Sequence, residues 1–263
     1  MKTRPCVLTI AGSDSGAGAG IQSDSRVIHA LGGYALTAIS AVTAQNSRGV
    51  DAWHAVSSAL LAAQINAVLD DFPVGAIKTG LLPGEAIVRA VVDALERHRG
   101  IPLVVDPVIG STSGTRFLST RALKIVRQTL LPRATLVTPN WPEADALTGV
   151  RVQTFADVEA AASALLETGC GAVLVKGGHA PGAICRDCLV TKDGRVRWFE
   201  SKRVKTQNTH GTGCVLSAAI AVGLARGRSI ETAVTDARKF LQQSLISGRK
   251  IKLGAGHGPA FLG

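Results

Sequence analysis

The sequence has few aromatic residues, no long hydrophobic run and no long basic run. Of its 263 residues, 4% are aromatic, and they include three Trp and one Tyr. Few rings are therefore available to stack on bases, so we do not expect nucleic-acid binding. The longest apolar stretch, residues 215–225, is interrupted by Ser217 and Gly223 and falls short of the ~20 residues of a membrane span. We expect a cytoplasmic protein with no secretory segment and no membrane contact.

Cysteine is also scarce, and its pattern excludes two kinds of site. Five cysteines are an odd number, which argues against a disulfide framework. Cys185 and Cys188 have C-x-x-C spacing, but a structural zinc needs four ligands and no second pair exists. A redox pair would precede a helix, whereas this one runs into a strand-like segment. We expect Cys185 and Cys188 to be structural.

The composition and charge are those of one folded unit that binds anions. With 46% apolar and 18% charged residues, disorder and collagen are excluded, and one domain over 1–263 is expected. The formal net charge of +10 favours anionic partners such as small phosphorylated ligands. The same charge leaves open an alternative, a noncatalytic protein that binds anions or nucleic acid.

Strand and helix patterns alternate along the chain. Nearly unbroken apolar runs predict buried strands, at residues 7–11, 35–44, 74–78, 103–106, 135–138 and 172–176. An apolar stripe predicts a helix over 85–98, and Thr154 with Asp157 indicates a capping box. Residues 189–199, with Asp193-Gly194 at the turn, predict an antiparallel hairpin at the sheet edge. The fold class is therefore α/β, a mainly parallel sheet with helices on both faces.

In such a sheet, ligands bind at the carboxyl ends of the strands. A glycine-dense turn, residues 12–20, follows the first strand, but its spacing fails the dinucleotide fingerprint. Asp106 ends a buried strand and needs a cation, a backbone donor or water as partner. Asn140 and Glu143 allow two interpretations, a helix capping box or oxygen ligands for a hydrated Mg²⁺. The polar loop Ser111-Thr112-Ser113-Gly114-Thr115 either covers the site or only connects.

The most informative segment precedes an apolar helix. Residues 210–214 read His-Gly-Thr-Gly-Cys, so the amides of residues 211–214 are unpaired donors at a helix N-terminus. The two glycines let an anion approach closely, which predicts a phosphate cradle. Cys214 would share this field, and we expect its thiol pKa to fall toward neutrality, which would allow it to accept a proton. The alternative is a small buried hydrophobic residue.

Seven motifs together resemble the hydroxymethylpyrimidine/phosphomethylpyrimidine kinase family of the ribokinase-like superfamily. They run in order along the chain, at residues 12–14, 18–22, 78–80, 106–108, 138–143, 175–179 and 208–214. The resemblance implies a three-layer α/β/α sandwich, commonly a homo-oligomer, and we expect a homodimer. It also implies ATP and Mg²⁺, with two phosphorylations, first of the alcohol of 4-amino-5-hydroxymethyl-2-methylpyrimidine and then of its phosphate in thiamine biosynthesis.

The resemblance also assigns site residues. It implies that Cys214 is the base and that the turn of Gly211, Thr212 and Gly213 forms the anion hole. It places the pyrimidine among Gln45, Gly12, Ala19, Asp24, Leu81 and Val108. It places the ATP phosphates at Lys176, Asn140 and Thr209, and it implies that Asp106, Glu143 and Asn140 organise Mg²⁺.

Two departures from the family pattern concern the substrate pocket. The usual Asp-Pro-Ser-Gly-Gly-Ala-Gly appears as residues 14–20, Asp-Ser-Gly-Ala-Gly-Ala-Gly, and Leu81 replaces a Met. A related activity, pyridoxal or pyridoxine kinase, is therefore kept as an alternative. Some relatives with that activity carry a cysteine after the Asp106 strand, where this chain has Gly110 and Ser111.

Overall fold

The computed structural model describes residues 4–110 and 114–260. Its nine strands are β1 Cys6–Asp14, β2 Tyr34–Asn46, β3 Gly49–Ala55, β4 Val74–Thr79, β5 Leu103–Val105, β6 Leu136–Val137, β7 Ala172–Val175, β8 Ile184–Thr191 and β9 Val196–Lys202. The α-helices within these ranges are α1 Gly20–Ala30, α2 Ser58–Asp71, α3 Glu85–Ala94, α4 Thr120–Ile125, α5 Trp141–Thr148, α6 Phe155–Leu166, α7 Thr212–Ala225 and α8 Ile230–Gly248. Strands and helices alternate as the sequence predicts.

All nine strands form one sheet in the order β3-β2-β1-β4-β5-β6-β7-β8-β9. The strands from β2 to β7 in this order pair in parallel. The predicted hairpin is present as β8 and β9, which pair antiparallel beside β7. The sequence gives no signal for β3, because its side chains are exposed or half-buried and show no apolar alternation. β3 pairs antiparallel with β2 at the other edge.

Helices cover both faces of the sheet, which gives three layers. One apolar core joins the sheet to α2, α3, α4, α5 and α6. A second core, on the opposite face, joins it to α1, α7 and α8. Within α7 every residue from Val215 to Leu224 is buried, as expected of a helix that is apolar all round.

Several helix ends follow local signals in the sequence. The predicted capping box at Thr154 is confirmed, since its hydroxyl accepts from the Asp157 amide and Asp157 accepts from the Thr154 amide. The helix predicted over residues 85–98 ends earlier, at Ala94, and continues as a short 3₁₀ turn at Glu96–His98. None of the described helices is long and apolar enough to cross a bilayer. Of the polar loop predicted to cover the site or only connect, residues 111–113 lie outside the described residues.

Candidate active site

A cavity of about 530 Å³ opens at the carboxyl ends of the parallel strands. Its walls come from the ends of β1 and β2, from the segments after β4, β5, β6 and β7, and from the first turn of α7. Most of the predicted site residues line it: Gly12, Ala19, Gln45, Leu81, Asp106, Val108, Asn140, Glu143, Lys176, Thr209, Gly211, Thr212, Gly213 and Cys214. The strand-end location and the segments predicted from the motifs thus meet in one place.

Asp24 is the exception, and its predicted contact with substrate is wrong. The side chain is fully buried in α1 and is not among the cavity-lining residues. Its Oδ2 accepts from Thr9 Oγ1 at 2.5 Å and pairs with Lys78 Nζ at 2.8 Å. The carboxylate is therefore turned into the interior, where it balances a buried ammonium group.

Lys78 also lines the cavity, although it was not among the predicted site residues. Burial alone would lower the pKa of Lys78, but the carboxylates of Asp24 and Asp106 raise it above its ordinary value. Lys78 is therefore a permanent positive charge beneath the cavity. A lysine at the end of an otherwise apolar strand was the signal in the sequence, because a buried charge needs a partner.

A second, largely buried ion pair lies at the carboxyl end of β5, between Lys176 and Asp106. Lys176 Nζ lies 2.7 Å from Asp106 Oδ1 and 3.7 Å from Glu143 Oε2. Asp106 also accepts from Thr138 Oγ1 and Ser217 Oγ, each at 3.2 Å. Burial alone would raise the pKa of Asp106, but the Lys176 and Lys78 charges hold it below its ordinary value. Asp106 is thus an ionised carboxylate with several donors around it.

Of the two interpretations of Asn140 and Glu143, the structure shows the capping box, and the Mg²⁺ site stays a prediction. Asn140 Oδ1 accepts from the Glu143 amide at 2.9 Å, and Glu143 Oε2 accepts from the Asn140 amide at 2.8 Å, which completes a capping box for α5. The cap is therefore confirmed. Both residues also line the cavity. Burial raises the pKa of Glu143, while the nearby Lys176 charge opposes that rise.

The turn before α7, predicted as a phosphate cradle, depends on two glycines. Gly211, the N-cap, has φ +76°, and a Cβ there would lie 2.0 Å from the carbonyl oxygen of Gly18. Only glycine fits this backbone, since other residues avoid the left-handed region and would clash. A Cβ added at Gly213 would lie 3.2 Å from Lys176 Nζ. Gly213 at the start of α7 therefore lies beside the Lys176 ammonium group.

The expectation of an acidic thiol at Cys214 is wrong. Burial raises the pKa of the Cys214 thiol to about 11, Lys78 opposes this, and Asp24 and Asp106 add to it. The loss of solvent around the sulfur therefore outweighs the favourable effect of the Lys78 charge. Cys214 lines the cavity beside the anion cradle as a neutral thiol at rest.

The glycine-dense turn is organised around Asp14. Its carboxylate accepts from the amides of Gly16, Gly18 and Ala19 at 2.8–3.0 Å. His210 Nε2 lies 2.9 Å from Asp14 Oδ2. No role for Asp14 or His210 could be predicted from the sequence, because their contact joins residues far apart in the chain. The only signal was that both belong to motifs next to glycines.

The chain is similar in sequence to known proteins over nearly its whole length. The family model described as phosphomethylpyrimidine kinase matches residues 14–261. A relative from Streptomyces coelicolor, hydroxymethylpyrimidine/phosphomethylpyrimidine kinase, is 44% identical over 258 residues, which cover 98% of this chain and 94% of that protein. The match therefore includes nearly the whole chain.

Solved structures agree with this similarity. The phosphomethylpyrimidine kinase of Clostridium difficile superposes with a TM-score of 0.82 at 36% identity, covering 92% of this chain and 100% of that one. The pyridoxal kinase of Staphylococcus aureus in complex with AMP-PCP and pyridoxal superposes with a TM-score of 0.86 at 30% identity, covering 98% and 93%. The layered fold is thus shared with kinases that act on two kinds of small heteroaromatic molecule.

Proposed function

The chain belongs to the phosphomethylpyrimidine kinase family, and from that premise we propose two successive reactions. The first transfers the γ-phosphoryl group of ATP to the primary alcohol of 4-amino-5-hydroxymethyl-2-methylpyrimidine. The second transfers another to the resulting monophosphate. The observation that carries this proposal is one cavity that holds the anion cradle at residues 211–214, Lys176 and the side chain of Gln45. One continuous sheet supports a single domain over 1–263.

Phosphoryl transfer is driven mainly by alignment and charge stabilisation, since its transition state is loose and its charge lies on the phosphoryl oxygens. The first-turn amides of α7 supply donors that are fixed before the reaction. Lys176 supplies a cation beside them, and it would exchange part of its pairing with Asp106 for the phosphates. Thr209 and Asn140 complete the phosphate side of the cavity.

Cys214 accepts the proton of the attacking alcohol late in this mechanism. The reactive form is the thiolate, which Lys78 stabilises and burial disfavours. At pH 7 a thiol with a pKa of about 11 is ionised in about one molecule in 10⁴. Turnover should therefore rise with pH well above neutrality, because each unit increases the reactive form about tenfold.

The cavity also contains oxygen atoms suited to Mg²⁺. Asp106 and Glu143 present two carboxylates there, and Mg²⁺ is usually held by one or two carboxylates plus phosphate oxygens and water. No group of three or more His, Cys, Asp or Glu suited to a metal occurs among residues 4–110 and 114–260, so the nucleotide phosphates would supply further ligands. The ion would neutralise charge on the phosphates, and Asn140 would hold Glu143 in place.

The pyrimidine would bind on the side of the cavity formed by β1, β2 and the segment after β4. Gln45 provides the hydrogen-bonding amide, with the Gly12 and Ala19 backbone nearby and the apolar walls Leu81 and Val108 around the ring. Pyridoxal kinase activity is the second candidate, because solved pyridoxal kinases share this fold closely. Kinetics with both alcohols would separate the two.

Incubating the protein with Mg-ATP and hydroxymethylpyrimidine, followed by mass spectrometry, tests the reaction directly. We expect both the monophosphate and the diphosphate. A Cys214→Ala variant should keep nucleotide binding and lose about 10²- to 10⁴-fold in turnover. Near-normal turnover in that variant would remove the thiol from the mechanism, and the absence of both products would refute the proposal.

A homodimer in the cytoplasm is part of the same proposal. β3 is an edge strand of the sheet and its Trp53 is 40% exposed, which leaves this edge open to a second copy. All five cysteines are free thiols, as expected in a reducing compartment. Sedimentation of the purified protein would give the oligomeric state.

A further inference from the structure

Gln45 and His210 meet at the substrate side of the cavity, where a single ring nitrogen has two polar neighbours. His210 Nε2 lies 2.9 Å from Asp14 Oδ2 and 3.1 Å from Gln45 Nε2. On its other side, Gln45 Oε1 lies 3.3 Å from Thr43 Oγ1, whose hydrogen is also directed to the Ser13 carbonyl at 3.0 Å. One nitrogen cannot donate to a carboxylate and accept from an amide at the same time.

The surroundings of Asp14 decide where the proton lies. Asp14 accepts three backbone amides, an environment that favours an ionised carboxylate. An ionised oxygen 2.9 Å from Nε2 requires the proton on that nitrogen. His210 therefore donates through Nε2, and the Gln45 amide must present its oxygen to that nitrogen. Turning the Gln45 amide by half a rotation satisfies every group, because its N–H₂ then donates to Thr43 Oγ1 while Thr43 donates to Ser13.

The position of the imidazole is fixed by the backbone on both sides. A Cβ at Gly18 would lie 2.2 Å from His210 Cδ2, so the ring packs directly on that glycine. The His210 amide donates to the Gly258 carbonyl at 3.0 Å, and its carbonyl accepts from the Ala260 amide at 3.2 Å. The ring therefore has little freedom to follow a rotating glutamine.

We propose that His210 is a positioning residue that sets the orientation of the Gln45 amide and thereby selects an aminopyrimidine over an oxopyrimidine. This rests on the proposed function. An aminopyrimidine edge offers an N–H donor beside a ring-nitrogen acceptor, and a glutamine amide matches both, as it does with adenine. The 4-oxo analogue reverses donor and acceptor, so it fits only an amide turned the other way.

Steady-state kinetics with the 4-amino substrate and its 4-oxo analogue test this directly. We expect the wild-type protein to prefer the amino substrate by at least about a hundredfold in kcat/KM, because the analogue leaves two polar groups mismatched. His210→Leu removes the donor, so the KM for the amino substrate should rise about tenfold with kcat changed much less, and the preference should fall about tenfold. His210→Gln, which keeps a donor at similar reach, should restore the preference. His29→Leu, on the exposed end of α1, is the matched control.

A measurement on the unmodified protein keeps the proposal testable if the variants do not fold. The ¹⁵N spectrum of His210, assigned through contact of its ring with Gly18, should show a protonated Nε2 in the free and pyrimidine-bound states. An unprotonated Nε2, an unchanged preference in folded His210→Leu, or a loss confined to kcat would overturn the proposal. Failure of the wild-type protein to phosphorylate the amino substrate would instead refute the proposed function.

Discussion

Replacing one member of the buried Lys78–Asp24 pair should strongly destabilise the protein, because the other charge stays buried without its partner. Replacing both should cost less than the sum of the two single losses. Both side chains have 0% exposure and the pair distance is 2.8 Å. Asp24 Oδ1 has no hydrogen-bond partner among the described residues, so Lys78→Met leaves the carboxylate with only the Thr9 hydroxyl. An uncompensated buried charge costs about 3–5 kcal/mol. Asp24→Asn keeps an oxygen for Thr9 but removes the charge that Lys78 needs, and it should cost about 2–4 kcal/mol.

Urea unfolding of the two single variants and the double variant measures this coupling. The double variant contains neither charge, so its loss should be smaller than the sum of the single losses by about 2 kcal/mol or more. Because the pKa of Lys78 is raised on folding, the contribution of Lys78 ionisation to stability is present in full below its unfolded pKa and is lost as pH rises through the folded value. Single losses below about 1 kcal/mol, or losses that add within about 0.5 kcal/mol, would refute the reasoning.

Three further predictions concern the cavity. If the Cys214 thiolate is the base, kcat should rise about tenfold per unit between pH 7 and 9, and a flat stopped-assay profile would contradict this. Gly211→Ala should cost at least about 1–2 kcal/mol in urea unfolding and weaken ATP binding in calorimetry, because the Cβ would meet the Gly18 carbonyl; normal binding would argue against the cradle. Although burial alone would raise the pKa of Asp14, hydrogen bonds from His210, Ala19 and Gly16 lower it. The stability lost in Asp14→Asn should therefore be full above the unfolded pKa and disappear as pH falls through the folded value, whereas a pH-independent loss in denaturant titrations would show that the charge is not responsible.

The sheet could be predicted from the sequence because its central strands are buried on both faces. A run such as residues 74–78 is nearly all apolar, and this local pattern predicts a buried strand without reference to the rest of the chain. β3 could not be predicted, since an exposed edge strand carries no apolar alternation. Its existence depends on pairing with β2, which is a property of the fold and not of the segment.

The location of the site could also be predicted, but the state of its groups could not. Glycines before an apolar helix indicate a cradle from local sequence alone. Whether the sulfur of Cys214 is acidic depends on its depth, and depth is set by elements elsewhere in the chain. Burial outweighs the Lys78 charge, so the thiol pKa is raised where the local pattern predicted a fall.

Contacts between distant residues account for the remaining differences. Asp24 points into the interior because Lys78, 54 positions away, needs a counter-charge. His210 meets Asp14 across 196 positions. Neither separation leaves a periodic signal, and a single sequence offers no other way to recognise the pair.

The burial of α7 on every side has a consequence for how tightly ligands bind. A helix enclosed between the sheet and α8 cannot shift without repacking its neighbours, since protein interiors are close-packed. The first-turn amides of α7, which we propose to bind phosphate, are therefore held in place before the ligand binds. The conformational entropy of these groups is lost during folding, so ligand binding does not incur that entropy cost again.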